Sequence, residues 1–406
     1  MPGSESRPGW ATRVVHPPIP SRQAGDPISV PVDFSSTYSF VDADEFAHAS
    51  DVKVGGGYVY SRWANPTVDA FEAAAAALEG APHAEAFASG MAAISTLMLG
   101  LCRSGDRIVA ARQLYGGTHS LFSQILPAYG IETDLCDVDD LPGVEKALDG
   151  ARLLYCETIG NPRVKVADLE RLGAAARSAG VPLVVDNTFA SPILCRPFEY
   201  GASAVVHSAT KFLGGHHDLL GGVVCASEEL IEPVRVLARE LGATLAPFTA
   251  WLILRGMQTL VLRVERVCDS ALGVAEALDR HPSIDEVFYP ALSSSPDKSL
   301  CDSLLGGGGG GVLAFDVAGG RERAARFQDA LRLIKPAASL GGTHSLIVHA
   351  ASVTHTQLTA AELASAGISE GFCRLSIGLE DPADLIADLV SALGASAQGE
   401  GSRPRE

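Results

Sequence analysis

Five short apolar runs constrain this chain more than any other feature: "RIVAA" (107–111), "RLLYCE" (152–157), "PLVVD" (182–186), "SAVVH" (203–207) and "GGVVCA" (221–226). Each is a strand's length and nearly free of charge, and helical patterns separate most of them, such as "VADLERLGAAARSAG" between the second and third. Strands without a polar face must be covered on both sides, and helical crossovers join parallel neighbours. The pattern therefore predicts an α/β fold built on a mostly parallel sheet.

The 406 residues suffice for two units. An arm is expected over 1–62, extended through the Pro-, Ser- and Arg-rich start, and a large domain over 63–250 that opens with the helical "TVDAFEAAAAALEG". The long helical stretch "APFTAWLILRGMQTLVLRVERVCDSALGVAEALDRHP" leads into a smaller α+β unit over 251–395, with "GVLAFDV" as a strand, and a disordered tail is expected over 396–406. The six glycines at 306–311 lack the Lys-Ser/Thr that completes a phosphate loop, so they read as a flexible lead-in.

A net charge of −17 disfavours nucleic acid and anionic membrane as partners. No stretch approaches the roughly 18 uninterrupted apolar residues of a membrane span. The start "MPGSESRPGWATRVVHPP" shows no charged-then-apolar leader, so the expected compartment is the cytoplasm. Eight cysteines without a Cys-x-x-Cys pair then read as reduced thiols, with neither disulfides nor a zinc site.

Ligands of open parallel sheets collect at the carboxyl ends of the strands. Here those ends are polar: Asp186-Asn187-Thr188, Glu157-Thr158 with Asn161-Pro162 beyond, and His207 followed by Ser208-Ala209-Thr210-Lys211. A lysine at a strand mouth is costly unless paired or deprotonated, which marks Lys211 as a candidate reactive amine. Upstream, Ser89-Gly90-Met91 opens a helix whose first amides suit a phosphate. A lysine, a carboxylate and a phosphate cradle match the needs of pyridoxal phosphate: a Schiff base at the lysine, a carboxylate that keeps the ring nitrogen protonated, and amides and hydroxyls for the phosphate. Tyr115 in "QLYGGTHSLF" is the candidate for stacking on the ring.

The stretches "SSTYSF", "YSRWANPT", "LEGAPHAEAFASGMAAI", "LYGGT", "VVDNTFASP", "VVHSATKFLGGHHD", "SLGGTHSL" and "RLSIGLED" resemble the Cys/Met-metabolism (transsulfuration) family of pyridoxal-phosphate enzymes over residues 35–380. That family includes cystathionine γ-synthases and γ-lyases, methionine γ-lyases and O-acylhomoserine sulfhydrylases. The resemblance implies the fold type I, aspartate-aminotransferase-like architecture. It implies Lys211 as the Schiff-base and proton-shuttling lysine and Asp186 at the pyridine nitrogen. Tyr115 would stack and assist catalysis, and Gly90, Met91, Ser208 and Thr210 would hold the phosphate. Tyr60 and Arg62 would reach the same phosphate in a neighbouring subunit of a homotetramer built as a dimer of dimers. Arg374 would take the α-carboxylate of an amino-acid substrate with Asn161 and the Ser339-Leu340 backbone. His216-His217-Asp218 would be a cofactor loop, so no metal is expected.

The implied reaction is γ-elimination from a γ-substituted L-amino acid by a carbon–sulfur lyase, or by a lyase acting on another leaving group such as a halide. The alternative is γ-replacement by a transferase, and a non-catalytic α/β protein with a structural lysine is the rival from another class. Thr343-His344 after "SLGG" replaces the acidic residue of members that grip cystathionine's distal ammonium. Gly117 stands where methionine γ-lyases typically carry a cysteine, which would leave room but no thiol. Trp63 is expected to narrow the entrance, and "SLIVHAASVTHTQLT" (345–359) is most similar to O-acylhomoserine sulfhydrylases and some γ-lyases.

Overall fold

The structure, a computed structural model, describes residues 8–18, 27–51, 57–349 and 368–397. Two sheets organise it. The larger has seven strands: β1 (His83–Phe87), β2 (Arg107–Ala111), β3 (Glu132–Cys136), β4 (Leu153–Glu157), β5 (Leu183–Asp186), β6 (Ala204–His207) and β7 (Gly222–Ala226). Their order is β1-β7-β6-β5-β4-β2-β3. β7 pairs antiparallel with both β1 and β6, so it alone is reversed in an otherwise parallel sheet. Strands β4 to β7 are buried along their whole length, and each fully buried Val or Leu contributes about 1.5–3 kcal/mol.

Local chemistry fixes the helices that cover the sheet. The helix Pro66–Glu79 starts where the Asn65 side chain accepts the Thr67 and Val68 amides, and ends at Gly80 in the left-handed conformation (φ 79°). Helix Gly90–Leu101 starts at Ser89, whose hydroxyl accepts the Ala92 amide. Two close approaches demand glycine: a Cβ on Gly222 would lie 2.2 Å from the Ser89 carbonyl oxygen, and one on Gly90 would lie 2.7 Å from the Ser208 Cβ.

The smaller sheet has five strands: β8 (Ile284–Phe288), β9 (Val312–Val317), β10 (Lys335–Pro336), β11 (Leu346–His349) and β12 (Phe372–Ser376), in the order β10-β11-β12-β9-β8. The helix Leu260–Asp279 packs against β8, β9 and the last helix, Pro382–Ala397. Its buried Arg263 donates to the carbonyls of Phe212 (2.7 Å) and Gly256 (2.7 Å), which pins the chain next to Lys211.

Several expectations require correction. The first 62 residues are not uniformly extended: Trp10–Val15 and Ala43–Ser50 are helical, and Val14 is buried. The stretch 246–282 is two helices, Pro247–Met257 and Leu260–Asp279, so position 250 lies inside a helix. The first ends at Gln258 and the second starts after Thr259, and Gly256 in the last turn of the first lets the Gly214 carbonyl oxygen approach to 2.2 Å from where a Cβ would stand. Residues 309–311 of the glycine run are buried, and a Cβ at Gly309 would enter the Tyr289 ring. That run is packed at its carboxyl end, not a flexible lead-in. The final helix continues through Ala397 with Ser396 buried, so these two residues do not belong to a disordered tail. The rest of that tail, 398–406, and residues 350–359 of the "SLIVHAASVTHTQLT" stretch lie outside the described residues. No helix among the described residues is long and apolar enough to cross a membrane.

Candidate active site

The carboxyl ends of β4, β5 and β6, the start of helix Gly90–Leu101 and the loop before β11 converge on one cavity of about 430 Å³. Gly90, Met91, Tyr115, Asn161, Asp186, Ser208, Thr210, Lys211, Ser339 and Arg374 all line it. The volume falls in the range of small-molecule sites, roughly 300–1,000 Å³.

Lys211 follows β6 by four residues, in a turn where its amide donates to the Ser208 carbonyl (3.1 Å). Its Nζ donates to Ser339 Oγ (2.7 Å). Burial brings its pKa down to about 8, and the nearby Arg374 guanidinium pushes the same way. Ser339 has φ 96°, a left-handed conformation that a non-glycine residue adopts only when its surroundings impose it.

Asp186 ends β5 and is buried. Its Oδ1 accepts from the Thr188 amide (3.0 Å) and hydroxyl (2.5 Å), and its Oδ2 from the Tyr155 hydroxyl (3.5 Å). Burial raises the carboxyl's pKa, while the Thr188 hydrogen bonds and His207 oppose the rise. Beside it, His207 Nε2 lies 2.6 Å from Glu79 Oε1, and Asn187 Nδ2 donates to the same oxygen (2.9 Å).

Arg374, on the central strand β12, is 6% exposed. Its Nη1 donates to Asn161 Oδ1 (2.9 Å) and its Nη2 to the Ser339 carbonyl (3.4 Å). Burial lowers its pKa to about 10, opposed by Tyr115 and Glu157.

At the other end of the cavity the Ala92 amide is taken by the Ser89 side chain and the Ala93 amide by the Ser89 carbonyl. The amides of Gly90 and Met91 find no hydrogen-bond partner among the described residues, and Gly90 abuts Ser208. Thr210 Oγ1 accepts the Gly221 amide (3.0 Å), which braces this wall. The Tyr115 ring is 49% exposed.

These features fit pyridoxal phosphate: two uncommitted first-turn amides for an anion, a buried carboxylate that gains from a cation, an open aromatic face and an amine of lowered basicity. Thr188 and Glu157 line the same cavity and had been seen in the sequence only as strand-end residues. Glu157 stands opposite Asp186 in register, and Thr188 lies two residues past Asp186 and donates to it.

Tyr60 and Arg62 do not line this cavity within the chain. Arg62 donates to the Arg239 carbonyl and sits over the Tyr60 ring (5.7 Å), in a separate depression that Trp63 also lines. Gly117 leaves no room, because a Cβ there would lie 2.6 Å from the Tyr115 ring. The tyrosine occupies the space a side chain would need. His344 lies outside the cavity lining, with its ring 6.2 Å from that of His217. His216 Nδ1 lies 2.8 Å from the Gly214 carbonyl oxygen, and His217 packs on Gly342. No group of three or more His, Cys, Asp or Glu side chains placed to hold a metal occurs among the described residues.

A doubly covered, mostly parallel sheet whose strand ends carry an amine, a carboxylate and an anion cradle defines a fold type I pyridoxal-phosphate enzyme. A family model, "Cys/Met metabolism PLP-dependent enzyme", matches residues 11–394. The chain is 40% identical over 400 residues to the L-methionine γ-lyase of Pseudomonas putida, covering 98% of this chain and 100% of that one. It is 41% identical over 362 residues to the O-succinylhomoserine sulfhydrylase of Pseudomonas aeruginosa, covering 89% of each. A solved Campylobacter jejuni structure that carries N′-pyridoxyl-lysine 5′-monophosphate superposes with TM-score 0.91 at 35% identity, covering 95% of this chain and 99% of that one. The chain therefore belongs to the Cys/Met-metabolism family of pyridoxal-phosphate-dependent enzymes, and pyridoxal phosphate is its cofactor.

Proposed function

We propose that this enzyme catalyses γ-elimination from an L-amino acid whose γ-substituent is uncharged. One observation carries the choice of substrate class. Beyond Lys211, Asp186, Glu157 and Arg374 the cavity wall is largely apolar, with Ile94, Ile159, Phe189, Leu220, Ala338 and Leu340. A single cationic clamp, Arg374, suits a single α-carboxylate. A second charge, as on cystathionine or an O-succinyl group, would be left without a dedicated partner of opposite sign from this chain.

Bound pyridoxal phosphate supplies an electron sink for the charge left when a proton is removed from carbon. Gly90, Met91, Ser208 and Thr210 hold its phosphate, Asp186 its ring nitrogen, and Tyr115 its face. Arg374 and Asn161 fix the substrate carboxylate, with the Ser339 backbone completing the clamp. Lys211 Nζ, neutral in a substantial fraction near pH 8, takes the α-proton, hands it back, and as a free amine again takes a β-proton. The Tyr115 hydroxyl protonates the departing group. One water is consumed, and the products are the protonated leaving group, a 2-oxo acid and ammonia.

The test is a substrate panel of γ-thioether, γ-acyloxy and γ-halo amino acids, each assayed with and without added thiol. Ammonia and 2-oxo acid are expected without thiol, most rapidly from the uncharged thioether. A strict thiol requirement would instead establish γ-replacement, which similarity to the sulfhydrylase keeps as the second reading.

Membership of the family supports a site that Tyr60 and Arg62 of a neighbouring subunit complete, in a homotetramer. Arg62→Ala should lower cofactor occupancy at equilibrium dialysis, and unaltered occupancy would refute the shared site. The eight unpaired thiols, seven of them buried, support the cytoplasm as the enzyme's compartment.

A further inference from the structure

Glu157 sits where two loops meet. It ends β4 opposite Asp186 in register, is 6% exposed, and uses both carboxylate oxygens on backbone amides. Oε1 accepts from Tyr115 N (2.6 Å) and Oε2 from Asn161 N (3.1 Å). Those amides lie 42 residues away along the chain and four residues away, so the side chain spans two separate loops. A carboxylate is the group that offers two diverging acceptors and no donor.

The contact does not stop there. Asn161 Oδ1 accepts from Arg374 Nη1 (2.9 Å), Arg374 Nη2 donates to the Ser339 carbonyl (3.4 Å), and Ser339 Oγ accepts from Lys211 Nζ (2.7 Å). One continuous run of polar contacts joins Glu157 to the reactive amine. Burial and the Asp186 charge push the Glu157 carboxyl's pKa well up, and the two amides and Arg374 oppose that rise. A group held at such a cost in a cavity wall invites a reason beyond filling space.

We infer that Glu157 is a positioning residue: it sets the Tyr115 loop and the Asn161 loop relative to each other, and so fixes how far the ring face lies from the Arg374 carboxylate clamp. This rests on the roles proposed above for Tyr115, Asn161 and Arg374. The hydrogen-bonded route from Glu157 to Arg374 runs through Asn161, so shortening the side chain while keeping its charge should act on the substrate's carboxylate, and that effect should vanish when Asn161 is truncated.

The experiment uses the holoenzyme, two unreactive ligands and a double-mutant cycle. L-norleucine has an α-carboxylate and no γ-leaving group, and n-pentylamine is the same chain and amine without the carboxylate. Glu157→Asp keeps the charge but shortens the reach by one carbon–carbon bond, about 1.5 Å, so it cannot hold both amides. Norleucine binding, read from the cofactor's visible absorbance, should weaken about tenfold, the scale of one hydrogen bond to a charged group. Pentylamine binding should change by less than about twofold, and in an Asn161→Ala background the Glu157→Asp effect on norleucine should also fall below about twofold.

Equal weakening of both ligands, no weakening of either, or a tenfold loss that persists without the Asn161 side chain would overturn the inference. A wild-type enzyme that binds neither ligand, or takes up no cofactor, would instead overturn the site reading beneath it. Should Glu157→Asp fail to fold, Glu157→Gln enters the same cycle. It keeps the length but presents an amide donor to one of the two N–H groups and removes the charge that Arg374 feels directly, so a part of the norleucine loss should disappear in the Asn161→Ala background, and a loss that stays whole there would overturn the inference.

Discussion

Lys211→Met is expected to lower turnover to about 10⁻⁴ of the wild-type rate or less, because on the proposed roles it removes both the covalent anchor and the proton carrier. Borohydride treatment followed by intact-mass measurement should trap the cofactor on the wild-type chain and leave none on the variant. A trapped adduct on the methionine variant would place the reactive amine elsewhere. The same substitution carries a stability signature in protein stripped of cofactor. The folded-state pKa of about 8 lies below the ordinary 10.5, so folding disfavours the protonated amine. That penalty is fully present below pH 8, shrinks as pH rises from 8 to 10.5, and is absent above. Methionine, similar in length and uncharged, escapes it. The variant should therefore outlast the wild type in denaturant melts at pH 7, by roughly 3 kcal/mol at most, with the margin closing near pH 10.5. A pH-independent margin would show that the amine is not held in a desolvated site.

The strands that define this site were legible because burial on both faces leaves a plain apolar run, as in β4, β5, β6 and β7. β1 was not, since its "HAEAF" carries Glu85, which is tolerated inside by pairing with Arg235 (3.1 Å). β3 hid for another reason: as an edge strand it is half exposed and reads "ETDLC". The break between the two long helices, at Gln258–Thr259, interrupts an apolar pattern that runs on through both, so no local period reveals it. Within the site, Lys211, Asp186 and Arg374 announced themselves as charges in or beside apolar strands. Glu157 stood in the same position, but its partners are backbone amides, one four residues on and one 42 residues back, and amides leave no mark in a sequence. The reading of Gly117 as open space failed in the same way. Absence of a side chain was visible, but not the Tyr115 ring that leans into the gap.

Asp186→Ala should cost about a hundred- to a thousandfold in turnover and weaken cofactor retention, for an electrostatic reason. Without a cation beside it the carboxyl's pKa is raised by burial, and the Thr188 hydrogen bonds, His207 and Tyr155 hold it down. A protonated ring nitrogen supplies the missing cation, so each partner stabilises the charge on the other. The alanine variant loses that mutual stabilisation, and the ring becomes a poorer acceptor when Lys211 takes a proton from carbon. Supplying a cofactor analogue methylated at the ring nitrogen, which is positive without help from the protein, separates this account from a simple loss of folding. It should restore part of the variant's turnover and confer no advantage on the wild type. Stripped of cofactor, the variant should also be at least as stable as the wild type at pH 7. A carboxyl with a raised folded-state pKa favours the native state only while protonated, and the resulting penalty is fully present once pH exceeds that raised value. A variant that turns over at the wild-type rate, or that gains nothing from the methylated analogue, would break the link between Asp186 and the ring.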